Sequence, residues 1–165
     1  MPDAFYEPAG EGFLATELTR GPWDRDSQHA GPPAALLGRA LEQLPEADRF
    51  QVGRITFEIL RPVPIGPVEI ATRVLRPGRR VQLVEAELSA AGEPLMRATA
   101  WLIRIAPVEL PAEAMTATAP PPGPEQGSGA GFFPTEEEHG YHTGMEVGFI
   151  SGGFMEQGPA TTGRR

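Results

Sequence analysis

Residues 28–41, with the sequence QHAGPPAALLGRAL, join a polar turn to an apolar helix. The two prolines fit the first helical turn, because N–H groups there have no partner within the helix. Leu37, Leu41 and Leu44 then recur at helical spacing and predict one buried face. We expect a helix over residues 32–44, at whose N-terminus free N–H groups hold a carbonyl oxygen or an anion. The alternative is a plain core helix that follows a turn.

Four strand candidates follow this helix along the chain. Each is rich in apolar residues that alternate with polar ones, and short turns with Pro or Gly separate them. They cover residues 54–60, 68–75, 81–88 and 95–105, and a fifth candidate at 13–18 precedes the helix. Turns this short require antiparallel neighbours. The order therefore predicts an α+β fold in which one helix packs on an antiparallel sheet.

Alternation also assigns faces in two of these strands. In the first strand after the helix, Ile55, Phe57 and Ile59 share one face, which predicts an apolar side. In the fourth, Thr99 and Trp101 share a face with apolar neighbours, so we expect both side chains to pack in the core.

The composition excludes several classes of chemistry. The chain has 165 residues without cysteine or lysine, which excludes disulfides, thiolate zinc sites, a cysteine nucleophile and a Schiff-base lysine. A net charge of −8 argues against a nucleic-acid partner, which requires a basic face. The first residues lack the features of a signal peptide, and no apolar run reaches membrane-spanning length. We therefore expect a cytoplasmic protein that does not insert into membranes.

The character of the chain changes after the fourth strand. Residues 107–135 hold seven Pro and four Gly, which is typical of a linker that builds no core. Alternation then predicts one more strand at 141–150. We divide the chain into a domain at 1–106, the linker at 107–135 and the start of a second unit at 136–165.

Two histidines after the linker give no metal site. His139 and His142 lie near the acidic run at 136–138, but their spacing fits no standard ligand set. The sequence also has no P-loop, dinucleotide-binding or serine-hydrolase motif. We expect neither a metal nor a cofactor.

Three patches resemble the hotdog-fold thioesterases, specifically the N-terminal repeat of double-hotdog acyl-CoA thioesterase II-like proteins. They are QHAGPPAALL (28–37), ITFEILRP (55–62), and VLRPGRRV (74–81) followed by GEPLM (92–96). The resemblance extends from about residue 12 to about residue 105. It implies a hotdog fold, in which a curved antiparallel sheet wraps one long central helix. It also implies hydrolysis of the thioester of acyl-CoA to a carboxylic acid and coenzyme A.

The same resemblance implies that residues 136–165 are the partial start of a second hotdog repeat. In this family the second repeat supplies a catalytic Asp, Thr and Gln, and these 165 residues hold no matching positions. We therefore expect either an acyl-CoA thioesterase or a non-catalytic module that binds acyl-CoA. An acyl-thioester dehydratase or hydratase is a third alternative. A lone hotdog also leaves an open sheet edge, which predicts a homodimer.

Thioester hydrolysis needs a base and a donor for the developing oxyanion. The resemblance makes Gly31 the candidate donor, because its backbone N–H lies at the helix start and a missing Cβ lets a carbonyl approach. His29 is the candidate base, and Asp24 can orient His29 or a water. The alternatives are a glycine that only serves the turn, a histidine that caps or packs, and a solvated loop carboxylate.

Four further residues are candidates for substrate binding. Arg76, Arg79 and Arg80 cluster at one turn, and guanidinium groups suit the phosphates of coenzyme A. The alternative is a solvated hairpin end. Glu58 lies on a strand face from which it can reach a partner's helix end, or pair with His29 in a dehydratase. An ordinary carboxylate on the sheet surface is the alternative there.

Overall fold

The computed structural model describes residues 2–45, 47–111, 114, 120, 122–129, 135–153 and 161–164. Its α-helix is α1 (Gly31–Glu42). The strands are β1 (Tyr6–Ala9), β2 (Gly12–Ala15), β3 (Phe50–Ile59), β4 (Pro67–Arg76), β5 (Val81–Ala90), β6 (Glu93–Arg104), β7 (Ser128–Gly129), β8 (Val147–Ser151) and β9 (Thr161–Arg164). Short 3₁₀ helices lie at Glu17–Thr19, Ala47–Arg49 and Pro124–Gln126. Within these residues, no helix combines the length and the apolar character that crossing a membrane requires.

The first six strands form one antiparallel sheet in the order β1-β2-β4-β5-β6-β3. The four strands predicted after the helix are β3 to β6. The expectation that each strand pairs with the next was wrong for β3 and β4, because β3 lies at the sheet edge and pairs with β6. The β5–β6 turn has positive φ at both Ala91 (51°) and Gly92 (80°), as a two-residue hairpin of the right twist requires. The curved sheet around α1 confirms the α+β hotdog architecture. β7, β8 and β9 form a separate small sheet.

The core lies between α1 and the faces of β5 and β6. Leu37 and Leu41 of the helix are 0% exposed. The sheet meets them with Ala86, Ala98 and Ala100, which are also 0% exposed. Because alanine is small, the helix can approach the sheet closely and pack without voids. This packing fixes the N-terminus of α1 relative to the strand ends.

Several element boundaries differ from the sequence-based expectation. The expected single strand at 13–18 is a hairpin of β1 and β2, after which the chain turns into a 3₁₀ helix at Glu17. Pro8 lies within β1, so no alternating run marked that strand. After the linker, residues 141–146 form turns and bends, and the strand begins only at Val147. The helix begins one residue earlier than expected and ends at Glu42.

The face assigned to β6 was wrong. Its core-facing residues are Met96, Ala98, Ala100 and Leu102, all at most 2% exposed. Thr99 and Trp101 therefore lie on the outer face and are only half-buried. The two central residues of the core face are alanines, and its pattern was less visible in the sequence for that reason.

The outer face of the sheet holds a network of charged side chains. Glu85 is only 7% exposed, and Arg73 Nε donates to it at 2.7 Å. Arg97 Nη2 donates to Glu87 at 2.8 Å. The hydrogen bond to Glu87 and the charge of Glu85 raise the pKa of Arg97. Opposite charges on neighbouring strands stabilise this polar side of the sheet.

Strand β3 is an edge of the sheet, and its apolar face is only partly covered. Ile55, Phe57 and Ile59 pair with core-facing residues of β6, which confirms that they share the helix side. Ile55 packs against the core, whereas Phe57 is 36% and Ile59 is 59% exposed. The first part of the strand packs against the core, whereas the side chains of Phe57 and Ile59 are only partly covered.

Candidate functional site

The loop before α1 is held at both ends by backbone hydrogen bonds. His29 N–H donates to Thr19 O at 2.7 Å, and Gln28 N–H donates to Val63 O at 2.8 Å. Gly21 N–H donates to Ser27 O at 2.9 Å, which closes the loop on itself. These bonds fix His29 at the N-terminus of α1, where the sequence predicted it.

The imidazole of His29 lies between two aromatic rings. Tyr141 stacks on one side with a centroid distance of 4.2 Å and an interplanar angle of 9°. Trp23 stacks on the other side at 5.6 Å and 15°. Trp23 itself is 74% exposed. The two rings restrict the plane that the imidazole can adopt.

Gly31 offers the one backbone N–H among the first three positions of α1, because Pro32 and Pro33 have none. This N–H donates to His29 Nδ1 at 3.0 Å. Ala34 N–H, in the next position, donates to Ala30 O at 3.1 Å. Among the first four positions of α1, Gly31 therefore has the N–H that an oxyanion can use. Since Nδ1 accepts a hydrogen bond, the neutral imidazole carries its proton on Nε2.

Asp24 uses both carboxylate oxygens within its own turn. Oδ1 accepts from the N–H of Asp26 at 3.0 Å, and Oδ2 accepts from Ser27 Oγ at 2.7 Å. These two hydrogen bonds lower the pKa of Asp24. A carboxylate with a lowered pKa is a weaker base, and its bonds support the loop that carries Trp23.

A cleft of about 260 Å³ lies beside the loop that precedes α1. Its apolar walls come from Trp23, Pro33, Ile59, Val63 and Met96. Three polar side chains of the loop line the same cleft, namely Asp24, Ser27 and Gln28. The cleft is thus an apolar groove with a partly polar lining at the N-terminus of α1. Gln28 and Ala30 line it, whereas their chain neighbours His29 and Gly31 are not among its lining residues. Such a groove suits a short apolar group attached to a polar one.

Residues 137–144 lie against the N-terminus of α1, and we refer to them as the post-linker segment. Arg20 holds this segment: its Nη1 donates to His139 O at 2.9 Å, and its carbonyl accepts from Tyr141 N–H at 3.0 Å. Arg20 also lies 3.7 Å from the carboxylate of Glu137. No sequence pattern predicts this contact, because the segment lies far from residue 29 along the chain.

The close approach expected at Gly31 is made by Tyr141. A Cβ on Gly31 would lie 2.9 Å from Tyr141 Oη, 3.0 Å from its Cζ and 3.1 Å from His29 Nδ1. The glycine therefore makes room for the tyrosine and the imidazole together. Tyr141 is the functional candidate that sequence reasoning missed, since it had been placed in a strand.

The structure places the candidate arginines at the opposite end of the sheet. Arg76, Arg79 and Arg80 lie at the β4–β5 turn, whereas the cleft reaches Met96 at the other end of β6. The eight-residue rise of β6 from Met96 to Arg104 spans about 26 Å. The turn arginines therefore lie far from the cleft of the same chain.

These arginines belong to a larger basic cluster around two adjoining depressions. Its members are Arg49, Arg76, Arg79, Arg80 and Arg104, with Trp101 beside them. No acidic side chain lines either depression within the described part of the chain. The cluster can therefore bind an anion, and the planar guanidinium groups favour phosphate.

Glu58 lies apart from the helix terminus as well. It pairs with Arg97 in the β3–β6 register, on the outer face of the sheet, and its charge helps to raise the pKa of Arg97. The fold thus brings together His29 and Gly31, leaves Asp24 in its own turn at the wall of the cleft, and places Glu58 and the three arginines elsewhere. Among the residues the structure describes, no group of three or more His, Asp or Glu could hold a metal ion.

Comparison with known proteins identifies one matching family. The family model described as acyl-CoA thioesterase N-terminal domain matches residues 19–103, just over half of the chain. The match includes His29, Gly31, the whole of α1 and nearly all of the sheet from β3 to β6. No curated protein matches the chain.

Solved structures share the fold. A candidate thioesterase II from Thermobifida fusca YX is 24% identical with a TM-score of 0.60, over 86% of this chain and 50% of that one. A conserved protein of unknown function with a hot dog fold, from Alicyclobacillus acidocaldarius, is 19% identical with a TM-score of 0.61, over 93% and 55%. The BH2602 protein from Bacillus halodurans, solved with CoA, is 16% identical with a TM-score of 0.51, over 57% and 65%. The chain spans about half the length of the first two, and these similarities show the fold alone.

Proposed function

The chain belongs to the acyl-CoA thioesterase N-terminal domain family, and we propose that it binds acyl-CoA and hydrolyses the thioester to a carboxylic acid and coenzyme A. The observation that carries this proposal is the apolar cleft at the N-terminus of α1, which is lined by Gln28 and Ala30, the chain neighbours of His29 and Gly31. In this proposal an acyl group fills the cleft, and its thioester carbonyl lies just outside the cleft at the N–H of Gly31. Burial of the acyl chain supplies about 0.8 kcal/mol per methylene group.

The hydrogen bond from Gly31 to His29 couples the two residues in this proposal. When the carbonyl oxygen takes the N–H of Gly31, the lone pair of His29 Nδ1 is released. Nδ1 then accepts a proton from the water that attacks the carbonyl carbon, and the oxyanion stays on the Gly31 N–H. Collapse of the intermediate breaks the C–S bond, and His29 returns the proton to the coenzyme A thiolate. Asp24 holds the loop through its two hydrogen bonds.

The first test is the release of free thiol from short, medium and long acyl-CoAs by the purified protein. We expect turnover that falls by about 100-fold to 10,000-fold in His29→Ala, because the mutant lacks the base. His142→Ala is a matched control, because it removes a histidine that has no assigned role in the proposed reaction. Turnover that is equal in wild type and His29→Ala contradicts the assigned role of His29.

A non-catalytic acyl-CoA-binding module is the second candidate function. It is favoured by the hydrogen bond that already occupies the Gly31 N–H and by Tyr141 against the same glycine. Saturable acyl-CoA binding without thiol release, in a folded protein, distinguishes this function from hydrolysis. The dehydratase alternative needs an acid beside His29, and within one chain Glu58 lies on the outer face of the sheet. Addition of water to an enoyl thioester tests it in the same panel.

We further propose a homodimer in which the β3 edges of two chains pair antiparallel about a two-fold axis. In the described residues β3 has a neighbour, β6, on one side only. Phe57 and Ile59 lie along that edge and are 36% and 59% exposed. A second copy covers both the unpaired backbone groups and the apolar side chains.

The dimer is tested by sedimentation of Phe57→Arg. We expect the wild type to be dimeric and the variant to be monomeric, with a dissociation constant at least about 100-fold higher, because a charge then occupies the apolar interface. Leu75→Arg is the matched control, since Leu75 is 42% exposed on β4, away from this edge. A Phe57→Arg protein that stays dimeric contradicts the β3 pairing.

Antiparallel pairing of β3 would also bring the basic cluster of one subunit near the cleft of the other. The start of one β3 then faces the end of the other, so the cluster of the partner subunit approaches the cleft. Within one chain the same distance is about 26 Å along β6. We propose that Arg76, Arg79 and Arg80 of the partner subunit bind the phosphates of the coenzyme A whose acyl group lies in the first subunit.

The cytoplasmic location expected from the sequence stays a prediction.

A further inference from the structure

Tyr141 stacks on His29 more closely than Trp23 does. The two rings are nearly parallel, at 9°, with centroids 4.2 Å apart. The stack with Trp23 on the other side is longer, at 5.6 Å. The preferred plane of an imidazole is only weakly set by its own torsion, because rotation about the terminal sp³–sp² bond is broad. The neighbours of His29 must therefore determine its orientation.

The position of Tyr141 is itself fixed at several points. Its backbone N–H donates to Arg20 O at 3.0 Å, and Arg20 Nη1 holds the neighbouring carbonyl of His139 at 2.9 Å. Phe5 packs on the tyrosine ring with a centroid distance of 5.8 Å. Phe5 also lies against Gly144, where an added Cβ would be 2.7 Å from the phenyl Cε1. The post-linker segment is thus anchored on both sides of Tyr141.

Gly31 contacts both the Tyr141 ring and the imidazole of His29 to which its N–H donates. The space beside its Cα is shared by Tyr141 and by His29 Nδ1, both within 3.1 Å of an added Cβ. The same Nδ1 accepts the N–H of Gly31 at 3.0 Å. The tyrosine ring, the imidazole and the glycine therefore pack as one unit, and a shift of one moves the others.

We infer that Tyr141 is a positioning residue, which holds the imidazole of His29 in the plane where Nδ1 accepts the Gly31 N–H. The consequence for catalysis rests on the proposed function, whereas the positioning itself does not. The orientation is a property of the ring contact, so phenylalanine at residue 141 retains it and alanine loses it. Tyr141 comes from beyond the linker, so residues outside the family match of 19–103 shape the site.

The inference is tested by ¹⁵N NMR of the full chain, which has three histidines. The His29 signals are assigned by their loss in His29→Gln. We expect the wild type and Tyr141→Phe to show His29 with its proton on Nε2. In Tyr141→Ala the Nδ1 and Nε2 shifts should move toward the tautomer mixture of a free imidazole. Glu138→Ala is the control within the segment, because its side chain is 91% exposed.

A second variant, at Gly31 in α1, tests the same packing of Tyr141, His29 and Gly31. The Cβ of Gly31→Ala displaces Tyr141 or the imidazole, so it should move the His29 shifts as Tyr141→Ala does. Gly38→Ala is the matched control, since an added Cβ there meets nothing within 4 Å. Unchanged His29 shifts in folded Tyr141→Ala and Gly31→Ala proteins overturn the inference.

Activity supplies a separate readout where the protein hydrolyses acyl-CoA. We expect kcat of Tyr141→Ala to fall about 10-fold to 100-fold with little change in KM, and Tyr141→Phe to restore it. An equal loss in both variants overturns the positioning role, because it assigns the effect to the hydroxyl. A wild type without any thiol release contradicts the proposed hydrolysis, while the NMR comparison still decides the inference.

Discussion

A mixed dimer of one His29→Ala subunit and one Arg79→Ala/Arg80→Ala subunit is expected to recover about half of the wild-type thiol release. Both parent homodimers are expected to be nearly inactive, the first through loss of the base and the second through loss of phosphate contacts. The recovery follows from the symmetry of the proposed β3 pairing. One of the two sites then combines an intact cleft with intact arginines, and the other combines both defects.

The geometry within one chain gives the opposite expectation. If each site used only its own arginines, every site of the mixed dimer would carry one defect. Activity would then stay at the level of the parent homodimers. The two outcomes differ clearly, and they separate a composite site from one that lies in a single chain.

The experiment requires two affinity tags, so that only dimers with one subunit of each kind are assayed. Arg79 and Arg80 are exposed, and the sheet uses only the backbone carbonyl of Arg80, which accepts from Arg104 N–H at 2.8 Å. Alanine at both positions is therefore expected to leave the fold intact. Arg39→Ala on the exposed side of α1 is the control for loss of positive charge elsewhere.

The parts of the fold that could be predicted are those specified locally. The helix is marked by two prolines at its start and by leucines at helical spacing, and the structure confirms it within two residues at each end. Strands β4 to β6 alternate and are separated by short turns, and they are antiparallel neighbours as predicted. The same prediction was wrong for β3 and β4, because the loop from Leu60 to Gly66 carries the chain across the sheet and β3 pairs with β6 instead. The hairpin of β1 and β2 was missed, since Pro8 and the short length of each strand hide the alternation.

The face of β6 shows the limit of reading hydrophobicity alone. The alternation of that strand was assigned by its large side chains, which placed Thr99 and Trp101 inside. The helix instead packs on Ala98 and Ala100, because close packing against Leu37 requires small residues there. Shape complementarity, which is a property of two elements together, determined the outcome.

The parts of the candidate site that could be predicted from the sequence are likewise the local ones. Asp24, His29 and Gly31 lie within eight positions of one loop and helix start, so their proximity follows from the sequence. The Tyr141 stack does not, because it depends on how the chain returns after the linker. The distance of Arg76, Arg79 and Arg80 from the cleft likewise follows only from the sheet register.

Leu37→Ala is expected to lower the free energy of unfolding by about 2–5 kcal/mol. Leu37 is 0% exposed, and the alanines that face it cannot move to fill the space left by the lost side chain. The loss therefore includes a cavity in addition to the missing burial. Urea unfolding measures the change at one fixed protein concentration, because stability of a dimer depends on concentration.

Arg39→Ala on the exposed side of the same helix is expected to change the stability by no more than about 0.5 kcal/mol. The pair separates a packing effect from a change in helix propensity, since both variants place alanine in α1. A similarly small change in Leu37→Ala would mean that α1 is not anchored on β5 and β6. The cleft and Gly31 would then lack a fixed platform, because the same packing holds the start of α1 beside Ile59 and Met96.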